Sequence, residues 1–230
     1  MILIKIAFLI LSYFFGSIPT GYLIGKFYGN AEVQESGSGA TGGTNVARVT
    51  GKIIYGFLTL FFDMFVKGWL LVFIANSFFD KWFVVLAFAA ILLGHVFPIL
   101  TKFKGGKGIA TLIGGLLALL PFGVFLLALM VWIFALSRTR GIISLSNLII
   151  VSFILLAGVF INFSLSFFFF ALFAAALIFW THRSNLKRIL QKKESRVILK
   201  VNWKAIKLIL QEEKLWQKIK EKKPIEIKFE

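Results

Sequence analysis

The sequence predicts an all-α integral membrane protein: a bundle of seven transmembrane helices, one or two of them short, followed by a C-terminal amphipathic helix. Three observations carry that prediction. Of the 230 residues, 59% are hydrophobic and only 16% charged, against roughly 25% charged in soluble domains. Mean hydropathy is +0.89, and apolar runs close to the roughly 20 residues that cross a bilayer recur along the chain. Basic residues gather in the polar segments between those runs, as they do on the cytoplasmic side of membrane proteins.

The first span starts at Ile2. Lys5 can snorkel to the interface, and the run continues to Gly25 without a small-residue cleavage site, so it reads as a retained span rather than a signal peptide. A polar, Gly-rich loop occupies 26–52, followed by spans over 53–76 and 82–100. The stretch 109–136 is interrupted by Pro121, which ends or kinks a helix. Charge parity decides how to divide it. The basic segments are 26–52, 102–107, 138–140 and the tail from Arg183. They share one face only if 109–120 and 122–136 are two separate passes. Spans over 142–161 and 164–181 complete seven passes, with the N-terminus outside and the C-terminus in the cytoplasm. At about 1.5 Å per residue, the 109–120 helix is too short for a hydrocarbon core of about 30 Å. Such a segment survives against protein or a wet cavity, where a site would be built.

Residues 1–190 therefore form the membrane domain and 191–230 a basic tail. Positions 183–230 carry fifteen Lys or Arg against six Glu. Because this block follows a span directly, it points to anionic lipid at an inner (cytoplasmic) membrane face rather than to nucleic acid. Ile206, Leu210, Trp216 and Ile219 recur at helical spacing among lysines, the pattern of a helix lying on the leaflet. With no Cys and two His, disulfides and thiol nucleophiles are excluded, and neither a metal site nor a cofactor is expected.

Two loops carry chemistry. The first, Ser36 to Asn45, places Gly37, Gly39, Gly42 and Gly43 among Ser38, Thr41 and Thr44, with Arg48 just beyond. Backbone N–H groups in such a loop converge on anions, and a guanidinium matches a phosphate. The second runs from Gly94-His95 to Lys104-Gly105-Gly106-Lys107-Gly108 and opens a helix, whose N-terminus attracts negative charge. Asp63 and Lys67, four apart within a span, can pair on one helix face, as a structural pair or as part of a site. His182 and Asn185 close the last span. No His-x-x-x-x-Asp pair, Gly-x-Ser-x-Gly elbow or carboxylate cluster is present, so the site is electropositive and lacks an evident strong base.

These motifs resemble one family. Gly16-Ser-Ile-Pro-Thr-Gly, the Gly-Ser-Gly…Thr-Asn…Arg loop, Gly94-His-x-Phe-Pro…Phe-Lys-Gly-Gly-Lys-Gly108 and His182-Arg-x-Asn are all similar to the PlsY family of bacterial membrane acyl-phosphate:glycerol-3-phosphate acyltransferases. The resemblance spans about 10–190. It implies transfer of an acyl group from acyl phosphate to the 1-hydroxyl of glycerol 3-phosphate, giving lysophosphatidic acid for phospholipid synthesis. A soluble enzyme that makes acyl phosphate is the implied partner. Carried over, the substrate-site residues are Ser38, Asn45, Arg48, His95, Lys104, Lys107, Ser144, His182 and Asn185. The phosphate and oxyanion loops are Gly37, Gly39, Thr41, Gly42, Gly105 and Gly106. The chain departs from the family pattern at Ala40, where the family has Asn, and at Gly43, where it has Ala; the basic tail is an addition. Two alternatives remain open at this point: a carrier for phosphorylated metabolites, and an inactive or divergent paralogue.

Overall fold

The computed structural model describes residues 2–162, 164–199 and 227–229. In chain order the helices are α1 Ile2–Gly16, α2 Thr20–Gly29, α3 Gly43–Thr50 and α4 Ile53–Phe61. A π-helical stretch, Phe62–Leu70, runs from α4 into α5 Leu71–Phe78. Then come α6 Lys81–Val96, α7 Ile109–Leu119, α8 Phe122–Arg138, α9 Ile143–Asn162, α10 Leu165–Thr181 and α11 Arg183–Leu190. Among the described residues, four helical spans are long and apolar enough to cross a membrane: Ile2–Gly29, Ile53–Phe78, Lys81–Thr101 and Ile143–Ile161; counting the pair α10–α11, bent by 54°, as one span gives five.

The break expected at Pro121 is present. Pro121 occupies the N-cap of α8 with φ −56° and ψ 141°, while α7 has ended at Leu119, leaving it 11 residues long. Three details differ from the sequence reading. The first span is broken at Ser17–Pro19, because Pro19 caps α2 rather than continuing α1, and it extends to Gly29. The supposed loop 26–52 is about half helical, since α3 lies within it. The fold is not purely α: β1 Val197–Leu199 pairs antiparallel with β2 Ile227–Phe229, Val197 opposite Phe229. The strand β1 falls where the amphipathic helix was expected to begin. That helix's repeat, Ile206 to Ile219, lies outside the described residues.

Lipid tails are as apolar as leucine, so helices in a bilayer associate through close packing rather than escape from water. Glycines set the approach here. A Cβ at Gly16 would collide with the Ile91 carbonyl, and one at Gly94 with the Tyr13 carbonyl, so α1 and α6 cross backbone to backbone. The π-helix and α7 meet in the same way through Gly68 and Gly114, while Gly115 makes room for the Phe88 ring of α6. Around these crossings α6 forms the centre of the core, with Phe88, Ile91 and Leu92 fully buried. Phe88 stacks on Phe170 of α10, ring centroids 4.4 Å apart. Large apolar side chains such as Leu3, Phe57 and Phe134 stay exposed, as a lipid-facing surface requires.

The polar loops meet at one end of the bundle. Lys5 and the N-cap Asp80 form an ion pair at the other end, where Asp80 also accepts from the Phe83 amide.

Candidate active site

The first Gly-rich loop is folded around one side chain. Asn45, 2% exposed, accepts from the Ser38 amide at 2.9 Å. Its own amide donates to the carbonyls of Val33, Ser36 and Ala40 at 3.0, 3.1 and 3.0 Å. Gly37 has φ +64°, a left-handed conformation that strains other residues, and a Cβ there would strike Asn45 Oδ1.

The second loop is laced to the first. The Thr41 amide donates to the Gly105 carbonyl at 3.3 Å, and Gln34 Nε2 donates to the Lys104 carbonyl at 2.6 Å. The Gly106 amide donates to the His95 carbonyl at 3.1 Å, and Gly106 packs so closely on the His95 ring that a Cβ has no room.

Beneath the loops lies a buried polar chain. Thr20 Oγ1 donates to Asp63 at 2.6 Å, and Lys67 Nζ pairs with the same oxygen at 2.7 Å. His95 Nδ1 stands 3.7 Å from Asp63 and 3.1 Å from Thr111 Oγ1. This chain is held at the π-helix, an arrangement often found at functional positions.

A third group comes from the other half of the chain. Lys107 Nζ donates to Asn185 Oδ1 at 2.6 Å. His182 Nδ1 lies 2.9 Å from the Ile178 carbonyl. A carbonyl can only accept, so the ring proton sits on Nδ1 and Nε2 keeps its lone pair in the neutral ring. Glu194, just past α11, receives three hydrogen bonds: from Ser144 Oγ at 2.8 Å, Asn185 Nδ2 at 2.6 Å and Arg188 Nε at 2.7 Å. The neighbouring Ser195 Oγ accepts from Arg48 Nη2 at 3.0 Å.

These groups surround a cavity of about 720 Å³. Its polar end is lined by Ser38, Arg48, Lys107, Ser144, His182 and Asn185, and by the first turns of α3 and α7. First-turn amides have no intrahelical acceptor, so both helices present donors and the positive end of their dipoles there. The other end is apolar, lined by Phe57, Phe61, Phe65, Phe125, Leu129 and Trp132. Electrostatics at the polar end follow from partial burial of several cations. Burial pulls the Lys107 ammonium down to about 8; Glu194 opposes that fall, while Arg188 and Arg48 add to it. Burial also lowers Arg48, again against Glu194. For Glu194, burial favours the neutral acid, but the hydrogen bonds from Asn185, Arg188 and Ser144 and the Arg188 charge outweigh it. The carboxyl is held below its ordinary range.

Of the residues expected from sequence, Gly37, Ser38, Gly42, Asn45, Arg48, His95, Lys107, Ser144, His182 and Asn185 line the cavity. Lys104 does not: its side chain is exposed, and only its carbonyl serves the loops, accepting from Gln34 and Thr101. Gly39, Thr41, Gly105 and Gly106 lie behind the wall, where Thr41, Gly105 and Gly106 lace the loops together. Sequence reasoning missed Arg188, Glu194 and Ser195 as cavity residues. Glu194 is the one acidic residue between Arg183 and Gln211, a signal that stood out only as an exception within a basic run.

Fold and cavity together define a multi-pass helical membrane protein with a pocket lined by Arg48 and Lys107 at one end and by aromatic side chains at the other. The chain belongs to the glycerol-3-phosphate acyltransferase family, whose model matches residues 6–192. It is 37% identical over 196 residues to glycerol-3-phosphate acyltransferase from Prochlorococcus marinus (strain MIT 9312), covering 84% of this chain and 98% of that protein. It is also 37% identical over 195 residues to the Maridesulfovibrio salexigens enzyme of the same name, covering 83% and 95%. Among solved structures it is similar to PlsY (YgiH), an integral membrane glycerol 3-phosphate acyltransferase, in its glycerol 3-phosphate form. That match has a TM-score of 0.77 at 34% identity over 84% of this chain and 94% of that one. The lysophosphatidic acid form of PlsY matches with a TM-score of 0.74.

Proposed function

We propose that this protein transfers an acyl group from acyl phosphate to the 1-hydroxyl of glycerol 3-phosphate, releasing phosphate and lysophosphatidic acid. The observation that carries this reading is the continuity of the cavity, cationic at one end and lined by Phe57, Phe61, Phe65 and Trp132 at the other. An amphiphile with a phosphate head and a fatty tail fits both ends at once; a small phosphorylated metabolite in transit would leave the apolar end empty.

In the reaction the acceptor hydroxyl oxygen attacks the acyl carbonyl. A new C–O bond forms, the bond to phosphate breaks, and the hydroxyl proton leaves with phosphate or passes to the free Nε2 of His182. An acyl phosphate is already activated, so the protein's part is to position two anions and to stabilise the oxyanion. In this reading first-turn amides of α3 and α7 stabilise the oxyanion, and Arg48, Lys107, Ser144 and Asn185 hold phosphate; their shared lining of one cavity supports it. Asn45 and His95 hold the loops. Lys104, exposed on the second loop, adds to the positive field of that face.

We read the short α7 and α8 as two further passes, giving seven, with the loop end and the C-terminus on the cytoplasmic side of the inner membrane. The basic segments then share that face. Residues 1–190 form the catalytic domain, and 191–230 a tail that meets anionic lipid. A soluble enzyme delivering acyl phosphate would approach from the same side.

The test is acyl transfer by the purified protein to radiolabelled glycerol 3-phosphate, with palmitoyl phosphate and palmitoyl-CoA as parallel donors. The expected result is lysophosphatidic acid from palmitoyl phosphate only. Equal yield from palmitoyl-CoA would overturn the donor assignment.

A further inference from the structure

The Trp132 indole on α8 donates to Asn147 Oδ1 on α9 at 2.9 Å, and both residues line the cavity. An indole N–H can only donate, so Oδ1 is committed to it and Nδ2 is the end turned the other way. That nitrogen has no hydrogen-bond partner among the described residues. On α9 the cavity is lined in turn by Ser144, Asn147 and Ile150, three apart and so neighbours along one helix face. Ser144 is tied to Glu194 at the polar end, and Ile150 packs into the apolar core. On α8 the lining runs from Trp132 to Leu129 and Phe125, away from the loop end. The pair thus stands where both helices change from polar to apolar. A tie between two membrane helices needs one donor and one acceptor. Asn147 brings two further N–H groups, which are costly beside an apolar chamber unless an acceptor meets them.

Resting on the acyl-transfer reading, we propose that Asn147 Nδ2 is a ligand of the acyl carbonyl oxygen, and that Trp132 is a positioning residue that keeps the amide turned toward it. An acyl phosphate carries one polar group between its phosphate and its hydrocarbon chain, the carbonyl. With phosphate beside Ser144 and the chain against Leu129 and Phe125, that oxygen falls at Asn147, about 4.5 Å further along α9. As the acceptor oxygen bonds to the carbonyl carbon, the C=O pair moves onto the carbonyl oxygen. It returns as phosphate leaves with the electrons of the broken C–O bond, and the hydroxyl proton goes to phosphate or His182. Negative charge stands on the carbonyl oxygen only between those events, so a fixed N–H donor there favours the transition state over the bound donor. Asn147 thus adds a side-chain donor to the first-turn amides of α3 and α7.

The test uses the full chain in detergent and two readouts. One is steady-state kinetics. The other is the infrared carbonyl stretch of bound palmitoyl phosphate, isotope-labelled at its carbonyl carbon and measured without acceptor. Asn147→Leu keeps the bulk and removes the donors. The expected result is a kcat about 100-fold lower, the low end of what loss of one oxyanion donor costs, with KM for glycerol 3-phosphate unmoved. The carbonyl band, shifted to lower frequency in the wild type, should return toward that of the free donor. Trp132→Phe should lower kcat by a smaller factor and broaden the band, since the amide is then free to turn. Asn147→Leu also strands the Trp132 N–H, so adding Trp132→Phe to it should restore the melting temperature but not kcat. Recovery of kcat together with the melting temperature would make the pair a helix tie and overturn the proposal. Wild-type kcat in Asn147→Leu, or the same band in both proteins, would overturn it too. Because the band is read without turnover, a shift abolished by Asn147→Leu in a chain that fails to transfer acyl groups supports this inference while contradicting the acyl-transfer reading. Normal transfer with an unshifted band overturns the carbonyl ligand alone.

Discussion

Lys107 Nζ donates to Asn185 Oδ1 across 2.6 Å, joining the second Gly-rich loop to the helix that follows the last long span. A further bond, from Thr181 Oγ1 to the Lys107 carbonyl at 3.2 Å, fixes the backbone of that lysine. The ammonium is therefore held at the polar end of the cavity rather than swinging free. Lys107→Ala is expected to lower kcat/KM for glycerol 3-phosphate by about 10- to 100-fold, the equivalent of the roughly 1.5–3 kcal/mol that a hydrogen bond to a charged group contributes. Steady-state kinetics on the purified variant, with its thermal unfolding followed in parallel, checks this. Wild-type kcat/KM in Lys107→Ala would remove that lysine from the site.

The same lysine sets a pH dependence. Its ammonium sits at about 8, lowered by burial and by Arg188 and Arg48, with Glu194 acting the other way. Anion binding needs the charged form, so kcat/KM should fall as pH rises through about 8. The acceptor's second phosphate ionisation near pH 6 supplies the rising limb. Lys107→Arg keeps its charge at every accessible pH and should move the falling limb upward. A pH profile that keeps its limb at 8 in that variant would assign the limb to another group.

Asn45 is the frame of the first loop, with four hydrogen bonds to backbone groups between Val33 and Ala40. Asn45→Ala leaves three carbonyls and an amide without that partner. At about 1 kcal/mol net for each bond, the loss is about 4 kcal/mol, read as a lower melting temperature in detergent and a loop that opens to protease. Asn45→Asp, which turns a buried carboxylate oxygen toward the three carbonyls that Nδ2 serves, should be destabilised at least as much as Asn45→Ala.

Asp63 and Lys67 test the buried chain. Both are almost fully buried, and removing one partner strands the other's charge, which costs about 3–5 kcal/mol. Asp63→Asn should therefore destabilise the protein strongly. Asp63→Asn combined with Lys67→Met should recover part of the loss, a non-additivity that a double-mutant cycle measures. Additive losses would mean that the two side chains act separately.

The membrane architecture was legible because its signals are local. Pro121 marked the break between α7 and α8, and the Gly-Gly-Lys-Gly run announced the N-terminus of α7. Pro19 was harder to read, since an apolar run on both sides masks a break that the missing amide hydrogen enforces. The π-helix leaves no trace in periodicity: Asp63 and Lys67 are spaced as in an α-helix, and the close approach of Met64 to Gly114 is visible only in the folded chain. Of the site, the loop residues Ser38, Asn45, Arg48 and Lys107 could be read from composition and motif. Lys104 could not be told from Lys107, because exposure and burial differ over three residues through the turn that carries them. Glu194 reaches Ser144 across 50 positions, a pairing that only the folded chain displays.

The most direct test of the central claim is a paired assay of both products from palmitoyl phosphate and glycerol 3-phosphate, measuring lysophosphatidic acid and released inorganic phosphate in the same sample. Equimolar products are expected, both dependent on glycerol 3-phosphate and both lost in Arg48→Ala. Phosphate released without lysophosphatidic acid would make the protein a hydrolase of its donor. Neither product, with glycerol 3-phosphate bound and exchanged across vesicles, would make the cavity a carrier's and contradict the account.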